Sequence, residues 1–422
     1  MKKITIDKLD ENIYYEKLSN GLEVYFYVNK NVQNNYATFT TKYGSIYNEF
    51  VSDNGKVYKL PNGVAHFLEH KVFVQKDGLQ PEEFYGKSGA MCNAYTTFKN
   101  TTYLFSGIDN IYDNVIYLLD FVQNIYLTDE NVESEKGIIK QEINMCDDRP
   151  SDVLYDKIRK NSIVNNPFKE SIIGTAKEVD GITKEMLEKC YYHFYNPNNM
   201  ILIVTGNFDM EKMLTVIKDN QSKKTFSNFK SIKLKKYNEP DNIVKKMEVV
   251  KCDTDVIKMA YSIKIPINKF NIDKRKLNIY MYLIFNLLFG DTSSFDEEVK
   301  KDGIITNTIY CNVLNIDTHF IASLISTGDK YEELIKRIDD RLSNIIFDEA
   351  DFERKKKVLI SNEIFSYDNI ETIGDMILDN IIFDGTVDED IISLIQSLNI
   401  GELRNIVDKI DFSKKSIVIL KK

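Results

Sequence analysis

The chain has 422 residues, with 43% hydrophobic and 12% aromatic side chains and a formal net charge of −9. Its length exceeds one core and predicts about two to three domains. The acidic balance excludes general nucleic-acid binding, which needs a basic footprint, and no stretch reaches the ~20 apolar residues of a membrane span.

The opening MKKITIDKLDENIYY has two lysines but no apolar run behind them, so no signal peptide is expected. Strand-like alternation begins with "GLEVYFYVNK" (21–30) and "NNYATFTTKYGS" (34–45). A helical stretch follows at 63–73, then an alternating run, "CNAYTTFKNTTYLFSG" (92–107). Helical patterns occupy about 109–126 and 130–145, and "MLEKCYYHFY" (186–195) is helical until Pro197 stops it. "NMILIVTGNFD" reads as a buried strand and a turn.

From 221 to 247 the composition turns polar and lysine-rich, with Phe226, Phe229 and Tyr237 interspersed, and reads as a solvated linker. The pattern then restarts: strands near 248–265, an apolar helix near 274–289, strands near 304–326, charged helices and a closing strand at 416–422. The fold class expected is α+β with two similar domains, 1–220 and 248–422, joined by 221–247. The five cysteines (Cys92, Cys146, Cys190, Cys252, Cys311) are scattered without a CxxC pair, a pattern expected of reduced thiols in a cytoplasmic protein.

Of only four histidines, two stand four apart in "GVAHFLEHKVF" (63–73). On a helix that spacing puts His66 and His70 on one face, ~40° apart around the axis and about 6 Å along it. Two imidazoles so placed take one small cation, and zinc suits imidazole nitrogen. Glu69 flanks the same ion without needing to ligate it, where a general base for water belongs. A catalytic zinc has three protein ligands and an open position, so a third must come from elsewhere. In "ESEKGIIKQEINMCDD" (133–148), Glu135 and Glu142 lie seven apart on one helical face, with Ile138, Ile139 and Ile143 expected to pack beneath. Spacing lets either carboxylate be the ligand and the other orient a ligand or the base. His193 and His319 lack metal spacing and read as structural.

HxxEH is the inverted zincin signature, and the likeness extends further. The metal helix, "YGSIYNE" (43–49), "SGAMCNAYTTFKNTTY" (88–103), "EKGIIKQEINMCDDRPSDVLYDKI" (135–158) and "IIGTAKEVDGITKEMLEKCYYHFYNPNNMILIVTGNFD" (172–209) resemble the pitrilysin/insulinase-type metallopeptidases, the group that includes mitochondrial processing peptidase. A bacterial branch of that family shares "HFLEHK" and the "EKGII" helix. The resemblance covers residues 20–215 almost continuously. It implies one Zn2+ per chain held by His66, His70 and Glu142, with Glu69 as base and Glu135 behind the ligands. It implies mostly antiparallel sheets packed with helices, forming one half of a clamshell, and a peptide substrate lying along the strand with Gly89, Ala90, Asn93 and Ala94. This chain has the length of one half-shell, so a homodimer, or a heterodimer with a similar chain lacking HxxEH, would complete a chamber.

The second half departs from the family pattern. Where active members carry an Arg seven residues before a Tyr, alignment on Gly303 puts Val299 and Thr306, with Lys300, Lys301 or Tyr310 as stand-ins. The leading expectation is a zinc-dependent endopeptidase of short or unfolded peptides. The alternative is a zinc-bound, catalytically weak subunit that scaffolds or presents peptide to a partner.

Overall fold

The computed structural model describes residues 1–51, 55–227 and 232–422; Phe229 lies outside them. The chain opens with β1 (Lys2–Ile6) and β2 (Glu11–Lys17), then β3 (Glu23–Val28) and β4 (Asn35–Thr41). A small hairpin, β5 (Glu49–Val51) and β6 (Val57–Lys59), leads into helix α1 (Val64–Phe73) and the short α2 (Pro81–Gly86). Next come β7 (Met91–Thr96), β8 (Thr101–Gly107), α3 (Ile111–Val122), α4 (Asp129–Asp147) and α5 (Pro150–Ser162). Both α2 and α5 start on a proline, whose missing N–H is not needed in a first turn. A Thr175/Glu178 capping box starts α6 (Ala176–Asp180), followed by α7 (Lys184–Phe194), β9 (Met200–Gly206) and α8 (Met210–Ser222).

The second half contains β10 (Lys233–Leu234), β11 (Met247–Lys251), β12 (Lys258–Pro266), α9 (Lys274–Leu288), α10 (Ser294–Lys301), β13 (Tyr310–Asn315) and β14 (His319–Thr327). It closes with α11 (Tyr331–Ser343), α12 (Glu349–Ser366), α13 (Ile370–Asp384), α14 (Ile391–Ser397), α15 (Ile400–Val407) and β15 (Lys415–Lys421). Among the described residues no helix is long and apolar enough to cross a membrane.

Two compact units result. The first comprises Met1–Ile143, Ser171–Lys236 and Glu363–Ile391; the second comprises Asn144–Glu170, Tyr237–Asn362 and Ile392–Lys422. Segments therefore cross the boundary drawn from the sequence. Helix α13 belongs to the first unit because Ile370, Ile373, Ile377, Leu378 and Ile381 form one apolar stripe that packs on β9 and β4. Helix α5 belongs to the second unit, packed on β15 and β12.

The first unit is built on a seven-stranded sheet, order β1-β2-β3-β9-β4-β8-β7, antiparallel except for β3 with β9. The run MILIVTG in β9 is buried along its whole length, as befits a central strand covered on both faces. Helices α1 and α3 pack on the sheet opposite α13. The alternating run 92–107 forms a hairpin of β7 and β8. Thr97 Oγ1 accepts from the N–H groups of Lys99 and Asn100, both at 3.1 Å, and turns the chain there.

The second unit has a five-stranded sheet, order β11-β15-β12-β14-β13, in which only β11 with β15 is parallel. Each unit is thus a mostly antiparallel sheet packed with helices, the α+β class expected. The lysine-rich stretch is not uniformly solvated. The Glu239 carboxylate is buried, accepts from the N–H groups of Val164, Asn165 and Asn166 at 2.7 Å each, and pairs with buried Lys264.

Candidate metal centre

Helix α1 can start where it does because of Gly63, whose φ is +90° and whose added Cβ would lie 2.6 Å from the Ile173 carbonyl oxygen. From there Val64, Ala65, Phe67, Leu68 and Val72 are buried, and α1 packs against α7 and β7. In α4, Val132, Ile139 and Ile143 are buried at helical spacing. Ile138, expected beneath the helix, is instead 55% exposed, because it lies about 100° around the helix from Ile139 and so outside the buried stripe of Val132, Ile139 and Ile143.

This packing brings both histidines against Glu142. Nε2 of His66 is 3.5 Å from Glu142 Oε1, and Nε2 of His70 is 3.5 Å from Oε2. The imidazole rings are 4.6 Å apart between centroids, and one donor atom from each residue falls within 4.8 Å of the others. Donors on a tetrahedral ion at ~2.0–2.1 Å stand about 3.3–3.4 Å apart, so the spacing fits zinc. Nδ1 of His66 is buried without a hydrogen-bond partner.

Glu135 sits behind His70. Its Oε1 is 3.0 Å from His70 Nδ1, and its Oε2 is 3.4 Å from Lys71 Nζ. Lys71 Nζ also donates to the Asn131 carbonyl at 2.9 Å. Burial works against the Glu135 charge, but His70 and Lys71 outweigh it and hold the carboxyl below its usual value. Burial likewise pushes His70 down, yet hydrogen bonds to Glu135 and Glu142 dominate and raise it to about 9 in the metal-free protein. Glu142 is held far below the ordinary carboxylate value by the two imidazoles.

Glu69 points to the strand: Thr96 Oγ1 donates to its Oε2 at 2.6 Å. Thr96 ends β7, an edge strand whose ladder partner is β8. Along β7, Asn93 is exposed and Ala94 half-buried, and Asn93 Oδ1 accepts from the Ala94 N–H at 2.8 Å. Gly89, just before the strand, has φ +67° and open space where a Cβ would be, so conformation rather than crowding calls for glycine. Ala90 is buried against Gly107, so its side chain is not offered to a ligand.

In the second unit Val299 is fully buried and Thr306 exposed. Lys300 is bound to Asp296 at 2.7 Å and to Thr308 at 2.5 Å, while Tyr310 is 57% exposed on the edge strand β13. His193 packs on Phe50, and His319 is buried against Thr318 and Asp241, so neither joins the metal group. Lys71 and Thr96 escaped the sequence reading. The signals for them are a lysine at a buried position of an apolar helix and a threonine closing the alternating run.

An α+β fold carrying two histidines and a carboxylate at ion spacing, with a second carboxylate one residue from a ligand, defines the class of the metallopeptidases. Residues 34–176 match the family model described as insulinase (peptidase family M16), and residues 181–359 match that of the peptidase M16 inactive domain. The chain is 33% identical over 416 residues to the uncharacterised zinc protease YmfH of Bacillus subtilis, covering 97% of this chain and 96% of that one. A crystal structure described as an M16-like peptidase from Alicyclobacillus acidocaldarius superposes with a TM-score of 0.92 at 29% identity, over 98% of this chain and 99% of that one. The periplasmic protease PqqL of Escherichia coli shares the fold, with a TM-score of 0.74 at 17% identity; all of this chain matches 48% of PqqL. The chain belongs to the M16, or insulinase, family of peptidases.

Proposed function

We propose that this chain is a zinc-dependent endopeptidase acting on short or unfolded peptides. The observation that carries this is the convergence of His66, His70 and Glu142 at about 3.5 Å, with Glu69 beside them. His66, His70 and Glu142 would hold one Zn2+ per chain, and the ion when bound would supply Lewis acidity that brings the pKa of water toward ~7. Thr96 occupies Oε2 of Glu69, which leaves Oε1 to take the proton from the attacking water and pass it to the leaving amine. Glu135 receives Nδ1–H of His70 and so fixes the tautomer that presents Nε2. The peptide adds along β7 as an extra strand, near Gly89, Ala90, Asn93 and Ala94, held mainly through backbone hydrogen bonds. All five cysteines are free thiols, which supports a cytoplasmic setting.

A second reading has one specific support. Val299 is fully buried and Lys300 is already engaged, so this chain's own means of gripping a substrate backbone are reduced. On that reading the chain is a zinc-bound, weakly active subunit that presents peptide to a similar chain lacking HxxEH. One assay tests both: a quenched-fluorescent peptide library, with zinc and with chelator, on this chain alone and mixed with such a partner. Chelator-sensitive cleavage by the chain alone supports the first reading, and cleavage only in the mixture supports the second. Its absence from both would sink the peptidase assignment.

A further inference from the structure

Lys71 follows His70 directly and is 1% exposed, on a helix whose neighbouring buried positions are Phe67, Leu68 and Val72. Packing alone would be served there by methionine or leucine. A buried ammonium is costly to desolvate, by several kcal/mol, unless it is well paired. Lys71 has two partners on α4: the Asn131 carbonyl at 2.9 Å and Glu135 Oε2 at 3.4 Å. Asn131 and Glu135 are four residues apart, so the ammonium is tied to two successive turns of that helix. The remaining oxygen of Glu135 lies 3.0 Å from His70 Nδ1. One carboxylate therefore bridges two consecutive residues of α1.

We propose that Lys71 is a positioning residue for the metal centre: it fixes the Glu135 carboxylate so that Oε1 receives Nδ1–H of His70 and Nε2 of His70 is held toward the ion. This rests on the zinc reading above. The terminal torsion of a glutamate is broad, and a carboxylate anchored through one oxygen keeps that freedom. Anchoring both oxygens to different donors removes it, and the imidazole inherits the restriction. Charge works in the opposite direction: an ammonium near the site disfavours a divalent cation, so weaker zinc binding on its removal would report positioning and not charge.

The test uses the full chain carrying Lys71→Met, Glu135→Gln and both together. Zinc affinity is measured by competition against a chromophoric chelator, alongside thermal unfolding of the metal-free forms. Lys71→Met and Glu135→Gln should each weaken zinc binding about tenfold or more, the usual effect of removing a group that orients a ligand. The double variant should bind no more weakly than Glu135→Gln alone, because Lys71 acts through Glu135. A lower melting temperature with undiminished zinc affinity in Lys71→Met would reduce Lys71 to a packing role and overturn the inference. If Lys71→Met does not fold, Lys71→Gln, too short to reach both Asn131 and Glu135, takes its place: about tenfold weaker zinc binding supports the inference, and undiminished affinity overturns it. His70→Ala separates the two layers. Zinc lost in His70→Ala but kept in Lys71→Met sinks this inference alone, whereas zinc kept in His70→Ala sinks the metal assignment beneath it.

Discussion

Thr96 Oγ1 donates a 2.6 Å hydrogen bond to Oε2 of Glu69, tying the edge strand β7 to the metal helix α1. Thr96 is itself paired with Thr101 across the ladder, so the carboxylate is anchored to a strand of the sheet. Thr96→Val keeps the shape and removes the donor. Zinc content should stay at about one per chain while kcat falls about tenfold or more, the scale of a hydrogen bond to a charged group. Zinc analysis beside steady-state kinetics checks this; equal kcat in the variant would mean that Glu69 needs no such anchor.

Glu69→Gln tests the base itself. Glutamine preserves size and hydrogen bonding but cannot take a proton. Peptide hydrolysis should drop at least ~10²-fold with zinc retained. Full activity in this variant would assign the hydrolysis to another site or to a contaminant.

Metal analysis separates the ligands from the residues around them. His66→Ala and His70→Ala each remove a nitrogen facing Glu142 at 3.5 Å and should strip zinc from the purified chain. Glu142→Gln should weaken it strongly, because a neutral amide replaces the carboxylate. A Glu142→Gln protein that still loads about one zinc with unchanged affinity would exclude Glu142 as a ligand.

Much of this was legible in the sequence, and the limits are physical. His66 and His70 could be paired from spacing alone because four residues make nearly one helical turn. The likeness to the family selected Glu142 over Glu135, a choice that spacing left open. What spacing cannot show is contact between elements distant in sequence. Lys71 meets Glu135 across 64 positions, and Thr96 meets Glu69 across 27. The same blindness misplaced α13, whose apolar stripe gives no clue to which sheet it covers.

Acidity enters on the opposite face of the first sheet. On α13, Glu371, Asp375 and Asp379 recur every four residues, and Tyr36 donates to Asp375 at 2.7 Å. Burial, with a contribution from Asp375, raises the Asp379 carboxyl to about 6. An unfolded aspartate titrates near ~3.9. A carboxylate raised on folding contributes stability that is fully present below the unfolded value and lost as pH climbs through the folded one. Asp379→Asn should therefore change the melting temperature little near pH 4 and raise it above pH 6. Because the side chain keeps water contact, the gain should not exceed about 1 kcal/mol. Thermal unfolding across pH 4 to about 8 reads this directly, and a stabilisation largest at low pH would contradict it.

Association with a second chain can be read through turnover. All of this chain matches 48% of the length of PqqL. In the second unit, two of the positions to which the resemblance points are not free to reach out. Val299 is fully buried and cannot reach out, and Lys300 is committed to Asp296 and Thr308. That leaves Lys301 and the exposed Tyr310 as candidates. A homodimer would offer only these. A heterodimer with a similar chain lacking HxxEH could supply an arginine and a tyrosine to the zinc centre of this one. Symmetric homodimers are common among soluble oligomers, so a purified chain forming one would not be surprising. Chemistry favours the mixed pair, because a loosely held carbonyl loses the benefit of positioning, and small misplacements cost ~10²-fold. The zinc-loaded chain alone should cleave peptides slowly, and addition of the partner should raise kcat/KM by ~10²-fold. Titration of a partner against a fixed amount of this chain, with sizing by sedimentation, reads both quantities together. Efficient cleavage by the pure homodimer, abolished by Tyr310→Phe or Lys301→Ala, would instead assign the grip to those residues and remove the need for a second chain.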